Sequence, residues 1–400
     1  MESLPHDLLP SISLRRPFGQ SPDFLLCQVG AFWRPRDDAP SMFFSANAAG
    51  CDLKEIKQRA IAELVEHSVA VISGVQCHAL CRSSYRSFPT QLNEIALNPS
   101  SLVQSQSGIQ FGLDSVDSDS ILSWVRGYDI QGNYGVYLPA LVGFLSWMPP
   151  VGEPLFVKPG ATGLSAHISL SLAIEHALFE VIERDACMLC WRVPGWPTSI
   201  LSHNCLPVAY KTMLSDMNLC VHLFQVGDPS LVPVVVAIIV DLKSGSPTVG
   251  SAAGWCVDRL CEKATIEAFV VRYTVEKFCR HSDEQVPRSS FGHVCSAFKR
   301  GGHVLNWFLC QSNLSRNHVS WTKESVFQKV FDFCAESAYV EISDERCREM
   351  GWFVVRVIVP RLQQRESDSL LMNLSSSRLD ESIRRYAHGR PPHLSPHPFG

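Results

Sequence analysis

The spacing of apolar positions divides the 400-residue chain into stretches of two different periods. Over residues 52–73, Leu53, Ile56, Ala60, Leu64 and Val65 recur at helical intervals, which predicts an amphipathic helix capped by Asp52. The stretch IEHALFEVIERDACMLCW is denser. Its residues 174, 177, 178, 181, 182, 188 and 189 are apolar at helical spacing, so a largely buried helix is predicted. Ser165 or Ser169, in the preceding KPGATGLSAHIS, is placed to cap it. Further helices are predicted at 257–280 and 324–337. Apolar runs bounded by turn residues predict strands at 24–33, 134–148, 219–226, 232–242 and 352–360. GSAAGW reads as the turn into the 257–280 helix, and the Ser- and Gln-rich stretch 98–120 reads as a loop. The closing RPPHLSPHPFG can be neither helix nor central strand, because proline lacks the N–H. With no repeat of solenoid length, the pattern describes a mixed α/β (α+β) chain.

Composition narrows the function classes. A net charge of −4 supplies no basic field for nucleic acid. The most apolar runs, 137–149 and 231–242, are too short to span a bilayer, and each contains a proline. The first twenty residues lack the basic start and apolar run of a signal peptide, so a soluble, cytoplasmic protein with no membrane partner is expected. Fifteen cysteines then read as reduced thiols rather than a disulfide framework. Cys77 with Cys81 and Cys187 with Cys190 do not make the two-CxxC zinc signature, and the second pair reads as core packing.

Candidate chemistry lies on three helices. Arg59, Glu63, Glu66 and His67 line one stripe, and so do His176, Glu180, Glu183 and Arg184. The third helix offers Lys263, Glu267 and Arg272. Carboxylates interleaved with cations suit magnesium and a polyphosphate, since hard oxygens hold the metal and arginine meets phosphate. The same spacing also suits solvated Glu–Arg pairs, and periodicity alone leaves both readings open.

Four segments, in order, resemble the YcaO family. GATGLSAHISLSLAIEHALFEVIERDACMLCW resembles its signature helix, a Gly-rich lead followed by E-x-x-E-R-D. SANAAGCDLKEIKQRAIAELVEHSVA resembles its earlier S-x-x-x-E-x-x-E-R helix, and GSAAGWCVDRLCEKATIEAFVVRY its later helix. MGWFVVRVIVPRL and SPHPFG resemble the closing strand and proline-rich end of the azoline-forming members.

The resemblance implies mixed sheets with packed helices enclosing a central nucleotide site. Residues 1–23 would be an irregular N-terminal segment, 24–385 the catalytic domain and 386–400 a tail reaching the active site. It implies an ATP- and Mg2+-dependent cyclodehydratase that turns Cys, Ser or Thr of a ribosomally made precursor peptide into azolines. By position it implies Glu63, Glu66, Glu180 and Glu183 as metal ligands. Ser165, His176, Arg184, Glu267, Arg272 and His67 would bind the nucleotide, and the Gly400 carboxylate, presented by Pro396 and Pro398, would transfer protons. Implied partners are a ThiF-like leader-binding protein, a flavin dehydrogenase and a second copy of the chain as a homodimer. The sequence departs from the family pattern at Arg59 (Ser), His67 (Arg), Leu172 (Glu), Val270 (Gln) and the terminal Gly400 (Pro). These departures also raise a non-catalytic YcaO partner protein as an alternative, with thioamide or amidine formation as a further one.

Overall fold

The computed structural model describes residues 11–19, 23–33, 41–76, 81–88, 94–103, 113–158, 160–227, 231–281, 290–312, 323–333, 335–363, 374 and 376–399. The chain folds as two compact units. The first comprises residues 1–15, 25–181 and 330–361, and the second residues 16–24, 182–329 and 362–400.

The first unit holds a three-stranded antiparallel sheet of β1 (Ser11–Arg15), β2 (Leu25–Trp33) and β3 (Met42–Gly50). Strand β1 therefore lies within the N-terminal stretch expected to be irregular. Its five residues, SISLR, alternate polar and apolar but are too few and too exposed to mark a strand without β2 beside them. Helix α1 (Leu53–Gln76) follows, and the Asp52 Oδ1 accepts from the N–H groups of Lys54 (2.8 Å) and Glu55 (2.9 Å), as the capping argument requires. Ile56, Ala60, Leu64 and Val65 are buried as predicted, whereas Leu53, in the first turn, is exposed. Burial of Ile56, Leu64 and Val65 contributes roughly 1.5–3 kcal/mol each.

A seven-stranded sheet completes this unit. Its order is β5 (Glu94–Ala96), β7 (Gly135–Pro139), β6 (Ile121–Asp129), β13 (Ala338–Glu341), β14 (Phe353–Ile358) and β8 (Leu164–His167), with β4 (Cys81–Ser84) paired to β6. Among the described strands of this sheet only β5 and β7 pair in parallel. The strand predicted over 134–148 stops at Pro139, and a single helical turn, α2 (Ala140–Gly143), follows it. A short α9 (Glu345–Glu349) links β13 to β14. The 98–120 loop contains a 3-10 turn at Pro99–Leu102.

The second unit has a four-stranded antiparallel sheet, β12 (Pro247–Ala253), β11 (Val234–Asp241), β10 (Leu219–Val226) and β9 (Thr198–Leu201). Helix α5 (Val257–His281) packs on β12 and β11. The approach is close: a Cβ at Gly250 would lie 2.2 Å from the Ala264 carbonyl oxygen and 2.4 Å from the Ala268 nitrogen, so only glycine fits. The GSAA expected as a turn is thus the end of β12, and the turn shrinks to Gly254 and Trp255. The segment that follows β9 contains α4 (Val208–Asp216). Helices α6 (Ser290–Arg300), α7 (His303–Gln311) and α10 (Ser377–Tyr386) belong to the same unit, and α8 (Lys323–Phe333) ends four residues earlier than predicted.

Helix α3 (Leu170–Arg192) is shared, with residues to 181 in the first unit and the remainder in the second. All seven apolar positions of the periodicity argument are buried, and from Asp185 to Val193 every residue is. A helix buried on all sides is a core helix rather than an amphipathic surface one.

Candidate functional site

Of the two serines expected to cap α3, Ser169 does so through its backbone carbonyl, which accepts from Ala173 N at 2.9 Å. Ser165 is instead in β8.

In the first unit the acids of α1 and α3 converge on the edge of β8. The Glu180 Oε2 accepts from Gly163 N at 3.1 Å, and the Glu66 carboxylate accepts from Ala166 N. Register explains the grouping. Arg356 of β14 pairs with Leu164 and Val354 with Ala166, so Arg356 projects from the same face as Leu164 and Ala166. Ser165, paired with Val355, projects from the opposite face, and the structure does not bring it to the Glu66 carboxylate.

Arg356 is buried, and its Nη1 donates to the Gly160 carbonyl at 2.5 Å. Its Nε, also buried, has no hydrogen-bond partner among the described residues. Burial lowers this guanidinium to about 10, while the charges of Glu180 and Glu66 pull it back up. The carboxyls answer in kind. Burial pushes Glu66 well up, helped by repulsion from Glu180 and Glu63, against the Ala166 hydrogen bond and Arg356. Burial raises Glu63 to about 7, opposed by Arg59. Arg356 is thus the buried cation that Glu66 and Glu180 share, and Arg59 acts on Glu63, while a further positive charge would relieve the remaining repulsion among the acids. His67 does not supply it: burial lowers its pKa, and its Nε2 lies 3.9 Å from Glu66 Oε1 as a neutral ring. His176 is exposed on α3 and meets His167 edge to face at 5.4 Å. Leu172 is half-buried, and Glu175 is buried on a different face of the helix.

In the second unit the acids of α3 and α5 converge on the end of β12. Glu183 Oε1 accepts from the Ser251 hydroxyl at 2.7 Å and its Oε2 from Ala253 N at 3.1 Å. Glu267 Oε2 accepts from Ser251 N at 2.7 Å. Arg184 Nη1 stands 3.8 Å from Glu183 Oε1. Arg272 is placed differently. Five residues beyond Glu267, it sits roughly 140° further round α5, buried, with Nη2 2.9 Å from Asp241 and Nε 2.8 Å from Glu276. It ties α5 to β11, and the structure does not group it with Glu183 and Glu267.

Asp185 of the E-R-D triplet is also structural. Its carboxylate accepts from Gln363 N at 2.8 Å and from Arg378 Nη2 at 3.0 Å. The end of α3 then holds the proline-rich tail. Arg192 Nη1 donates to the carbonyls of His393 (2.6 Å) and Ser395 (2.8 Å), and Trp191 Nε1 to Ser395 (2.9 Å). The His393 ring stacks on Trp307 at 4.2 Å, and burial, with His303 and Arg192 nearby, lowers it to about 4. Phe399 is buried and bridged to Val249 on edge strand β12, where a proline-bearing tail is tolerated. Gly400 lies outside the described residues.

Sequence reasoning passed over Arg356 and Ser251. A lone arginine inside the apolar strand WFVVRVIVP was the available signal for the first. Ser251, read as part of a turn, had none.

The donor set fits magnesium. Among the described residues no three His, Cys, Asp or Glu side chains converge on one point, but magnesium ordinarily takes one or two carboxylates, with water and phosphate oxygens completing its shell. No helix among the described residues is long and apolar enough to cross a membrane.

The family model described as YcaO cyclodehydratase, ATP- and Mg2+-binding, matches residues 47–363. A 75-residue stretch, 19% of this chain, is 36% identical to a fifth of an uncharacterized protein of Methanothermobacter thermautotrophicus. Three solved structures share the fold. A heterocyclase in complex with substrate and cofactor superposes with a TM-score of 0.64 at 13% identity over 90% of this chain, which spans about half (51%) of that protein. A chain of the Escherichia coli microcin synthetase McbBCD complex gives 0.67 at 15% identity, covering 100% of this chain and 98% of that one. A YcaO protein from Methanopyrus kandleri bound with AMPPCP and Mg2+ gives 0.56 at 16% identity, covering 88% and 85%.

Proposed function

The chain belongs to the YcaO family, and on that premise we propose that it is an ATP- and Mg2+-dependent cyclodehydratase acting on the backbone of a ribosomally made precursor peptide. Glu63, Glu66, Glu180 and Glu183 hold magnesium. Arg184, Glu267, His176 and His67 face the nucleotide, Ser165, on the other face of β8, keeps only a supporting part, and the Gly400 carboxylate moves protons at the reacting amide. Arg272, tied up by Asp241 and Glu276, keeps only a supporting part in this proposal. The observation that carries the reading is the Glu66–Glu180–Arg356 cluster, in which carboxyls from two helices repel one another beside a shared buried guanidinium, a repulsion that a divalent cation would relieve.

In the reaction a Cys, Ser or Thr side chain of the precursor adds to the preceding amide carbon, and its proton leaves. The resulting oxyanion takes the γ-phosphoryl group of ATP. Phosphate then departs with the former amide oxygen as the amide nitrogen forms the C=N bond and loses its proton, leaving a thiazoline or oxazoline. An amide oxygen is a poor leaving group and phosphorylation makes it a good one, so the chain's share is positioning and charge stabilisation. A ThiF-like protein delivers the precursor, a flavin dehydrogenase oxidises the azolines, and a homodimer is the proposed assembly. A relative of this fold was solved as the McbBCD complex with pro-MccB17 bound.

The decisive measurement is Mg2+-dependent binding of a fluorescent ATP analogue, followed by phosphate release on adding precursor and partner. Binding that weakens at least tenfold in Glu66→Gln and Glu180→Gln supports the site. Absence of any nucleotide binding overturns the enzyme and favours the non-catalytic partner. Leu172 and the neutral His67, in place of a carboxylate and an arginine, are the observations that favour that second reading.

A further inference from the structure

Within the second unit the proline-rich tail is seated through a histidine. The His393 ring stacks on Trp307 of α7 at 4.2 Å, with 20° between the planes, and meets Trp191 of α3 edge to face at 4.5 Å. The His303 ring, at the start of α7, stacks on it at 5.3 Å. The backbone of the same residue is fixed as well. Its N–H donates to the Arg192 carbonyl at 2.9 Å, and its carbonyl accepts from Arg192 Nη1 at 2.6 Å. Further along, the His397 ring stacks on His293 of α6 at 4.2 Å, and Phe399 is buried.

This seat suits a neutral imidazole and opposes a charged one. The His393 Nδ1 is buried and has no hydrogen-bond partner among the described residues. A neutral ring leaves a lone pair there, whereas an imidazolium would place an N–H donor in the same position with nothing to accept it. The charged and titratable groups that face the ring among the described residues are His303 of α7 and Arg192 of α3, both of like sign to an imidazolium. Burial, then His303 and Arg192, hold the docked ring at about 4, against a hydrogen bond to the Trp191 backbone. Once the tail leaves its seat, the ring returns to the ordinary 6.5. Docking is therefore at full strength above 6.5 and weakens as pH falls towards 4.

We propose that residues 391–399 are an acid-released strap: a proton from water taken up by His393, between Trp307 and Trp191 and beside His303 and Arg192, undocks the tail from α3 and α7. Arg192 remains on α3 to receive the tail again when the proton is lost, so release is reversible. Undocking also draws Phe399 away from β12. The inference does not depend on the nucleotide reading.

The test is hydrogen–deuterium exchange of the intact chain at pH values from 7.5 to 4.5, corrected for the intrinsic exchange rate at each pH. Protection of the His393 amide should fall roughly tenfold for each pH unit below 6.5, since one proton is taken up on release. Amides of β10 and β11, in the same unit, should keep their protection over that range. His393→Phe, whose ring packs without titrating, should hold the tail protected at pH 4.5. His303→Phe, which removes the neighbouring imidazole, should retain part of that protection. The inference is overturned if tail protection is unchanged down to pH 4.5, or if it is lost only together with that of β10 and β11. Loss in His393→Phe at the same pH as in the unaltered protein overturns it too. If the His393→Phe tail is already unprotected at pH 7.5, His303→Phe decides: release that matches the unaltered protein overturns the proposal, and release shifted to lower pH supports it.

Discussion

Glu66 and Glu180 meet the edge of β8 around a buried guanidinium, whereas Glu183 and Glu267 meet the end of β12 around a serine. In both cases two helices each supply one carboxylate, and backbone N–H groups of a strand end receive them. The balance of charge differs. The first pair has a third acid, Glu63, one turn away and a single cation buried with it. The second is held by a hydroxyl and two amides, with Arg184 alongside at 3.8 Å. Hydrogen bonds to neutral donors satisfy a carboxylate without moving a formal charge, while a buried ion pair makes each partner depend on the other. The first cluster is thus the more easily disrupted and the more responsive to an added cation.

Removing the guanidinium has the largest expected effect. Arg356→Met should cost about 3–5 kcal/mol in urea unfolding at pH 7.5, because it leaves acids buried without a counter-charge. Arg356→Lys should recover part of that, and full stability in Arg356→Met would break the contrast between the clusters.

Next comes pH. Glu63, and Glu66 in the same direction, hold protons more tightly folded than unfolded. Their contribution is fully present below about 4.5 and is lost as pH rises through about 7. For Glu63 this amounts to at most about 3 kcal/mol before solvent screening. The melting temperature without metal should fall across that window, and millimolar Mg2+ should restore it. A metal-independent melting curve would count against cation binding by these acids.

Ser251→Ala should cost less, about 1–2 kcal/mol, by withdrawing the hydroxyl from Glu183 while the amide bonds remain. Thermal unfolding without metal reads it, and because no charge is stranded the loss should stay well below that of Arg356→Met.

The smallest effect is in the tail. His393 is held neutral in the fold at about 4, so its stabilisation is present above 6.5 and declines as pH falls towards 4. In His393→Phe this acid limb should flatten, measured as melting temperature between pH 4 and 6.5, with little change at pH 7.5.

Much of this organisation was legible from residue spacing. The stripe of α1, its Asp52 cap and the burial of α3 follow from local periodicity and hydrogen-bonding chemistry, which neighbours in sequence decide. Spacing also put Glu180 and Glu183 one turn apart, and motif order pointed to the family, which the match over residues 47–363 bears out. It erred where long-range pairing overrides local pattern: β1 needs β2 beside it, GSAA is a strand because β11 pairs with it, and Pro139 ends a strand although apolar residues continue beyond it. Only the tertiary structure decided which acids share a charge. Arg356 reaches Glu66 through strand register, Arg272 leaves the site for Asp241, and Asp185 turns to Arg378. Electrostatic environment is a property of burial and of partners hundreds of residues away, and no window of the sequence contains it.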